Sequence, residues 1–191
     1  MNMDLKKVKG HFLTITRHRH MVIYHCFKAG IFWQGLFHDL SKYSPEEFLE
    51  GIRYYTDGKK SPNDEARKKK GCSRAWMHHK GRNKHHFEYW TDYNNDTHSM
   101  EPVKMPLKYV VEMFCDRVAA SKIYGKEDYN DSYALNYYER VKKLRRLHPD
   151  TEKLIHFLLK YLAENGEEEA FAYVRGLVRA HKRKSRTKSD I

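Results

Sequence analysis

The sequence has 191 residues and a hydrophobic fraction of 40%, which is enough to bury the core of one globular domain and excludes a disordered chain. Its formal net charge of +12 at pH 7 favours phosphorylated small molecules or nucleic acid as partners. No apolar run approaches the roughly 20 residues that cross a bilayer, and the first residues lack the apolar stretch of a signal peptide, so we expect a cytoplasmic protein with no membrane partner.

The first predicted helix covers Leu5–Ala29, because apolar residues and histidines recur there at steps of three and four. These residues share one face of the helix, which carries His11, Ile15, His18, Val22 and His25. Gly30 and Gly35 are expected to loosen the chain after this helix. A shorter helical stretch over residues 37–40 should follow.

The middle of the chain predicts several short helices. Residues 44–47 read Ser-Pro-Glu-Glu, which is typical of a helix start and predicts a helix over residues 45–55. A polar loop over residues 56–63 should follow it. Residues 73–93 hold four histidines and few turn signals, so we predict two short helices there, joined near Gly81.

The C-terminal part predicts four longer helices. The first begins near Leu107, and one of its faces carries Tyr109, Met113, Asp116 and Ala120. The other three are expected over residues 131–147, 150–165 and 167–181, with Gly166 separating the last two.

Alternating strand patterns are scarce, so the predicted fold class is all-α. We predict a single compact domain over residues 1–182. Its ligand-bearing core spans about residues 11–125, and additional helices over residues 131–182 cover that core. Residues 183–191 are predicted to form a basic disordered tail.

Histidines and aspartates that suit a metal site concentrate at four places, namely His18 with His20, His38 with Asp39, residues 78–86, and Asp116. Imidazole and carboxylate together are ligands for divalent metals. A single His-Asp dipeptide carries little information, and a histidine on a helix face is usually a core or surface residue. The informative feature is the order: a histidine, then His-Asp, then paired histidines, then an aspartate in an apolar helix.

Three segments carry a family resemblance. Residues 35–42 read GLFHDLSK, residues 76–81 read WMHHKG and residues 115–120 read CDRVAA. In this order they resemble the His-Asp signature, the paired-histidine segment and the final aspartate segment of the HD-domain superfamily of metal-dependent phosphohydrolases. The resemblance covers about residues 11–125, and nothing after residue 125 matches a motif.

The resemblance implies that a first divalent ion is bound by His18, His38, Asp39 and Asp116. It also implies that His79 and His86 bind a second ion when Asp39 bridges the two. The spacing between His18 and His38 is shorter than in many members, which leaves His20 and His11 as alternatives for the first ligand. The choice within the pairs His78/His79 and His85/His86 also stays open. Mn, Fe, Zn, Ni, Co and Mg are all compatible with these ligand types.

Basic residues near these ligands are candidates for binding a substrate phosphate. Lys42 lies three residues after Asp39, and with Asp39 it is assigned to catalysis, where its charge stabilises the phosphoryl group as it reacts. Further candidates are Lys80, Arg82, Lys84 and Arg117. We interpret Glu46, Glu47 and Glu112 as ordinary exposed helix carboxylates.

The predicted function is a metal-dependent phosphohydrolase that uses a metal-activated water to cleave a phosphate ester or anhydride of a nucleotide-like substrate. Two alternatives remain open from the residues. One is a di-iron oxygenase built on the same His/Asp framework. The other is a nucleic-acid-binding helical module with a degenerate site, because basic runs and interleaved aromatic residues also fit that class.

Overall fold

The computed structural model describes residues 4–58, 60–142 and 145–189. The helices of this part are α1 (Leu5–Ala29), α2 (Phe32–Leu36), α3 (Pro45–Arg53), α4 (Pro62–Lys70), α5 (Arg74–Arg82), α6 (Leu107–Gly125), α7 (Tyr133–Val141) and α8 (Pro149–Ser189). Two strands, β1 (Thr91–Asn94) and β2 (Ser99–Pro102), pair as one antiparallel hairpin. The predicted all-α class is therefore confirmed, with a small hairpin added to it.

Helix α1 has the predicted bounds, because local signals fix both of its ends. The Asp4 carboxylate accepts a hydrogen bond from the Lys6 backbone N–H at 2.9 Å, and Gly30 ends the helix with a φ of 81°. The predicted face is buried at all five positions. Gly35 does not loosen the chain. A Cβ added there would lie 2.4 Å from Cys26 Cβ, so this glycine lets α2 approach α1 closely.

The hydrophobic core lies between α1, α6 and α8. Its fully buried side chains include Val22, Cys26, Phe114, Cys115, Val118, Leu158, Leu162 and Phe171. Burying one such aliphatic or aromatic side chain contributes roughly 1.5–3 kcal/mol to stability. The C-terminal helices therefore pack directly on the two long helices, α1 and α6.

The middle of the chain differs from the prediction. Residues 62–70 form α4, because Pro62 and the following acidic residues start a helix inside the segment that we expected to be a loop. The expected second helix before Tyr93 is absent from the described chain. Helix α5 contains Gly81 and ends where the Asn83 side chain donates to the His79 carbonyl at 2.8 Å. A 3₁₀ turn (Phe87–Tyr89) and the hairpin follow.

The predicted break at Gly166 is confirmed, because this glycine has φ 80° and ψ 170° inside α8. Helix α7 is shorter than predicted, and residues 143–144 of its expected end lie outside the described residues. Residues 183–189 continue α8 where we expected disorder, since lysine and arginine favour helices and no glycine or proline interrupts them. Residues 190–191 lie outside the described residues, and the domain boundary at 182 stays a prediction. No helix in the described part combines the length and apolar character needed to cross a bilayer.

The buried His25 makes the packing of α1 sensitive to acid. Burial lowers the pKa of His25 from 6.5 to about 4, although Glu167 lies 3.8 Å from its Nε2 atom. In the unfolded chain the imidazole regains a pKa near 6.5, so the unfolded state binds the proton first. We expect this residue to remove about 3 kcal/mol of stability as the pH falls from 6.5 to about 4, and to have no such effect above 6.5.

Urea unfolding across this pH range tests the effect on a His25→Phe variant. Phenylalanine retains the ring stacking on Phe171, whose centroid lies 5.0 Å away, but it cannot be protonated. The variant should lose less stability than the wild type on acidification, although it also loses the contact of His25 Nδ1 with the Cys115 carbonyl. His20→Phe, at an exposed position of α1, is the control and should retain the wild-type acid sensitivity. Equal losses in all three proteins would contradict the prediction.

Candidate metal centre

Four parts of the fold bring the predicted ligands together. Helix α1 contributes His18, the turn after α2 contributes His38 and Asp39, α5 and its following loop contribute histidines, and α6 contributes Asp116. Asp39 has a left-handed backbone, with φ 53° and ψ 25°. The Arg19 guanidinium donates to the carbonyls of Leu36 and His38 and thereby holds this turn against α1.

Three groups of side chains have ligand atoms that all lie within 4.8 Å of one another. The first group is His18, His38, Asp39 and Asp116, the second is Asp39, His79, His85 and His86, and the third is His38, His85 and Glu112. The first two groups share Asp39. This carboxylate therefore lies where it can bridge two adjacent cation positions.

Carboxylates outside the first two groups fix the orientation of several imidazoles. His38 donates from Nδ1 to Glu112 Oε1 at 2.9 Å, and His79 donates from Nδ1 to Glu47 Oε2 at 2.8 Å. His85 Nδ1 lies 3.2 Å from the same Glu112 oxygen. Each Nδ1 therefore faces an acceptor and carries a proton, which leaves Nε2 as the atom that would face a metal. This carboxylate–histidine arrangement is typical of metal ligands.

The atoms left free by these contacts point at Asp39. The Nε2 atoms of His38 and His79 each lie 3.2 Å from an Asp39 oxygen, and His85 Nε2 lies 3.5 Å away. Among the described residues, these three nitrogens, His86 Nε2 and Asp39 Oδ1 are buried and form no hydrogen bond. Asp39 Oδ2 forms none either, but Lys42 Nζ forms an ion pair with it at 2.6 Å. An unsatisfied buried polar atom costs about 1–3 kcal/mol, so the donor set fits a bound divalent cation.

The cluster holds its carboxylates ionised. Burial alone would raise the pKa of the Asp39 carboxyl, but the charges of His38 and Lys42 hold it well below its usual range. Burial would likewise raise the pKa of Asp116, and hydrogen bonds from His18 and His38 hold it well below the usual value. Burial and the neighbouring His85 lower the pKa of His86, which keeps that imidazole neutral. Burial lowers the pKa of His38, but Asp39 and Asp116 raise it well above its ordinary value, so this imidazole is protonated in the metal-free fold. A metal would displace that proton, because ionised carboxylates and neutral imidazoles are the forms that bind metal.

Lys42 lies beside the shared carboxylate, three residues after Asp39 in the sequence. Its Nζ atom is 2.6 Å from Asp39 Oδ2, and its side chain is 28% exposed. Although burial lowers the pKa of Lys42, the Asp39 carboxylate raises it above its ordinary value. The lysine is therefore a fixed positive charge at the edge of the ligand groups.

The ligand groups open into a cleft of about 680 Å³. His18, His79, His86 and Asp116 line it. Cationic side chains also line it, namely Lys42, Lys60, Arg67, Arg117, Arg140 and Arg145. Aromatic side chains complete the wall, namely Trp76, Phe87, Tyr124, Tyr133 and Tyr137. The cleft therefore presents positive charge and flat apolar surfaces next to the ligands.

The structure separates the alternative ligands. His18 lies in the first group, whereas His20 is exposed and His11 packs against Phe48 and Tyr55. His79, His85 and His86 all lie in the second group, so both members of the later pair are candidates. His78 lies outside the three groups and donates to Glu47 Oε1 at 2.6 Å.

Three predicted substrate residues lie elsewhere. Lys80, Arg82 and Lys84 are not among the residues that line the cleft. The reason is helical geometry, because α5 directs His79 inward and successive residues point about 100° apart around a helix. Arg82 and Lys84 are exposed. Arg117, by contrast, lines the cleft.

The sequence prediction missed two carboxylates of the candidate centre. Glu47 and Glu112 were expected to be exposed, but both are only 5% exposed and both contact ligand histidines. Hydrogen bonds from His38 and His85 lower the pKa of Glu112 to about 2, against the effect of burial. Glu112 lies one helical turn before Asp116 on α6, and that spacing is the signal that places both on one face.

A family model described as "Family of unknown function (DUF5662)" matches residues 7–161. The matched residues include every member of the three ligand groups and extend into α8. No curated protein and no solved structure matches. The family description states no activity and no relation to the HD-domain superfamily, so that relation stays a proposal.

Proposed function

The chain belongs to DUF5662, a family of unknown function, and we propose that it is a metal-dependent phosphohydrolase of the HD-domain type. Its substrate is a phosphate ester or anhydride, and the composition of the cleft favours a nucleotide-like compound. One observation carries the proposal. Buried Nε2 atoms that form no hydrogen bond surround the shared Asp39 carboxylate at the base of a cationic cleft.

The residues fit one or two divalent ions. His18, His38, Asp39 and Asp116 would hold the first, and Asp39 with His79, His85 and His86 would hold the second. A divalent metal held by these residues would polarise a phosphoryl oxygen and lower the pKa of a water molecule, so that hydroxide would be available as the nucleophile near neutral pH. Glu47 and Glu112 keep the histidine lone pairs directed toward Asp39.

The protein's own cations would bind and orient the substrate. Lys42 lies against Asp39 and lines the cleft, so its ammonium group can contact the reacting phosphate and stabilise its charge. The ligand set also permits a di-iron oxygenase. The cationic side chains that line the cleft favour a phosphorylated substrate instead, because an uncharged substrate would not require them. A degenerate nucleic-acid-binding site would have no need for several oriented and unpartnered imidazoles.

Metal analysis combined with an activity screen tests this function. The purified protein should contain one or two ions per chain and release phosphate from nucleotides when supplied with Mn, Fe, Zn, Ni, Co or Mg. The His38→Ala/Asp39→Ala variant should lose both properties. A His20→Ala/Asp92→Ala variant removes an exposed residue of each type and should behave as the wild type. Absence of bound metal and of turnover in the wild type would refute the proposal, and oxygen consumption with bound iron would favour the oxygenase.

Lys42→Ala is expected to retain metal while lowering kcat by about 10²-fold, because it removes a charge that acts on the reacting phosphate rather than a ligand. Metal content and steady-state kinetics measure the two effects separately. Lys42→Arg should restore part of the rate, since it retains the charge. Lys80→Ala removes a lysine that lies outside the cleft lining and should leave the kinetics unchanged. Equal effects of the two alanine variants would exclude the assigned role of Lys42.

A further inference from the structure

Two arginines on one wall of the cleft lie outside the candidate metal centre. Arg117 is on α6, and Arg145 follows α7. Their guanidinium carbons lie 5.7 Å and 5.0 Å from the centroid of the ring of Tyr138, a fully buried residue of α7. Both arginines line the cleft, whereas α7 contributes no residue to the ligand groups.

Each of these guanidinium groups has a nitrogen with no hydrogen-bond acceptor among the described residues. Arg117 Nε and Arg145 Nη1 are buried and have no hydrogen-bond partner within the described chain. The Nη2 atom of Arg117 contacts the Met113 sulfur at 3.7 Å, which is a weak acceptor. Neither arginine forms an ion pair with a carboxylate of the described residues. Two positive charges therefore share this wall without a counter-ion in contact.

The two charges also act on each other. Arginine side chains stay protonated in proteins, so both carry a positive charge at neutral pH. Glu88 is the acidic neighbour that acts on both, and its Oε2 atom is buried without a partner. Asp116 also acts on Arg117, but its carboxylate pairs with His18 and His38. Among the described residues, neither Glu88 nor Asp116 forms an ion pair with either guanidinium.

Paired guanidinium groups bind phosphate well, because each presents two parallel N–H donors to two oxygens. We propose that Arg117 and Arg145 bind a second phosphate group of the substrate, separate from the phosphate that reacts beside Asp39. The substrate class is then an organic compound with two phosphate groups. The identity of the reacting phosphate rests on the proposed hydrolase function, whereas phosphate binding by the arginine pair does not.

Calorimetric titration of inorganic phosphate into metal-free protein tests the pair directly at constant ionic strength. The wild type should bind phosphate, and Arg145→Gln should weaken binding about tenfold, as expected for the loss of a charged hydrogen bond. Arg146→Gln is the matched control, because it makes the same charge change at the next residue, which is exposed. Equal weakening by the two variants, or no binding by the wild type, would overturn the proposal.

Chemical modification avoids any effect of the substitution on folding. Phenylglyoxal modifies arginine side chains, and peptide mass spectrometry reports the extent at each position. Inorganic phosphate should protect Arg145 of the wild-type protein and leave Arg146 as reactive as before. Equal protection of the two residues would overturn the proposal.

Kinetics separate a failure of this inference from a failure of the proposed function. If phosphate binding depends on Arg145 and no phosphorylated compound is hydrolysed, the arginine site holds and the hydrolase function fails. If hydrolysis is found, Arg145→Gln should raise KM for a nucleoside bisphosphate and leave KM for p-nitrophenyl phosphate unchanged. A similar rise for both substrates would overturn the assignment of a second phosphate.

Discussion

Replacing Asp39 with asparagine is expected to empty both metal positions and to lower phosphate release by about 10³-fold or more, the scale of removing a group on which metal-assisted catalysis depends. Asp39 is the residue that the first two ligand groups share, so one substitution weakens both. Asparagine has nearly the same size and tolerates the left-handed backbone at this position. The fold should therefore survive while the negative charge is lost.

Three measurements check this result together. Elemental analysis gives the metal content, initial rates give the activity, and a thermal melt with added metal chloride gives the stabilisation by binding. Metal at about 100 times its Kd stabilises a folded protein by about 2.7 kcal/mol, and the Asp39→Asn variant should show almost none of this gain. Asp64→Asn changes a carboxylate that lines the cleft but pairs with Arg67, so it is the matched control. A variant at Asp39 that retained both ions and the wild-type rate would disprove the shared-ligand assignment.

Much of the fold could be predicted from the sequence where the signals are local. The start of α6 and both ends of α1 follow from residues adjacent to them, and the buried face of α1 follows from helical periodicity. The hairpin was missed because its strands are short and carry mostly exposed side chains, so no buried alternation marks them. Helix α4 was missed because its own residues are polar and only Ala66 is buried.

The first ligand group could be predicted because three motifs occur along the chain in the order that is typical of the HD-domain superfamily. His18, His38, Asp39 and Asp116 meet as the resemblance implies. The role of Glu47 could not be predicted, since its contact with His79 joins residues 32 positions apart. The position of Lys80, Arg82 and Lys84 outside the cleft lining has a related cause. Proximity in sequence to a ligand does not determine which face of a helix a side chain occupies.

The pair formed by Arg117 and Arg145 could likewise be predicted from the sequence only in part. Arg117 is adjacent to a predicted ligand and could be named from the sequence. Arg145 lies beyond the last recognisable motif, in a region that we expected only to cover the core. Its position near Arg117 depends on how α7 packs against α6, through contacts that no local pattern encodes.

Replacing Glu112 with glutamine is expected to lower metal affinity by about 10–100-fold without unfolding the protein. The Glu112 carboxylate, with its pKa of about 2, accepts hydrogen bonds in the metal-free fold at any working pH. One of its oxygens faces Nδ1 of His38 and His85, and the other accepts from the Gln34 side-chain amide. Glutamine has a single acceptor oxygen, so its own amide group would face a donor on one side.

Competition against a fluorescent metal chelator measures this affinity, with Glu46→Gln as the matched control on an exposed carboxylate. Glu112→Asp separates two explanations, because it retains the charge but withdraws it from the histidines. Recovery of affinity by aspartate would mean that the negative charge near the ligands is what matters. Weak binding by both variants would mean that the exact position of the carboxylate matters. In that case His38 and His85 direct Nε2 toward Asp39 only while Glu112 accepts hydrogen bonds from both Nδ1 atoms. Wild-type affinity in the glutamine variant would show that the imidazoles are oriented by packing alone, and would remove Glu112 from the centre.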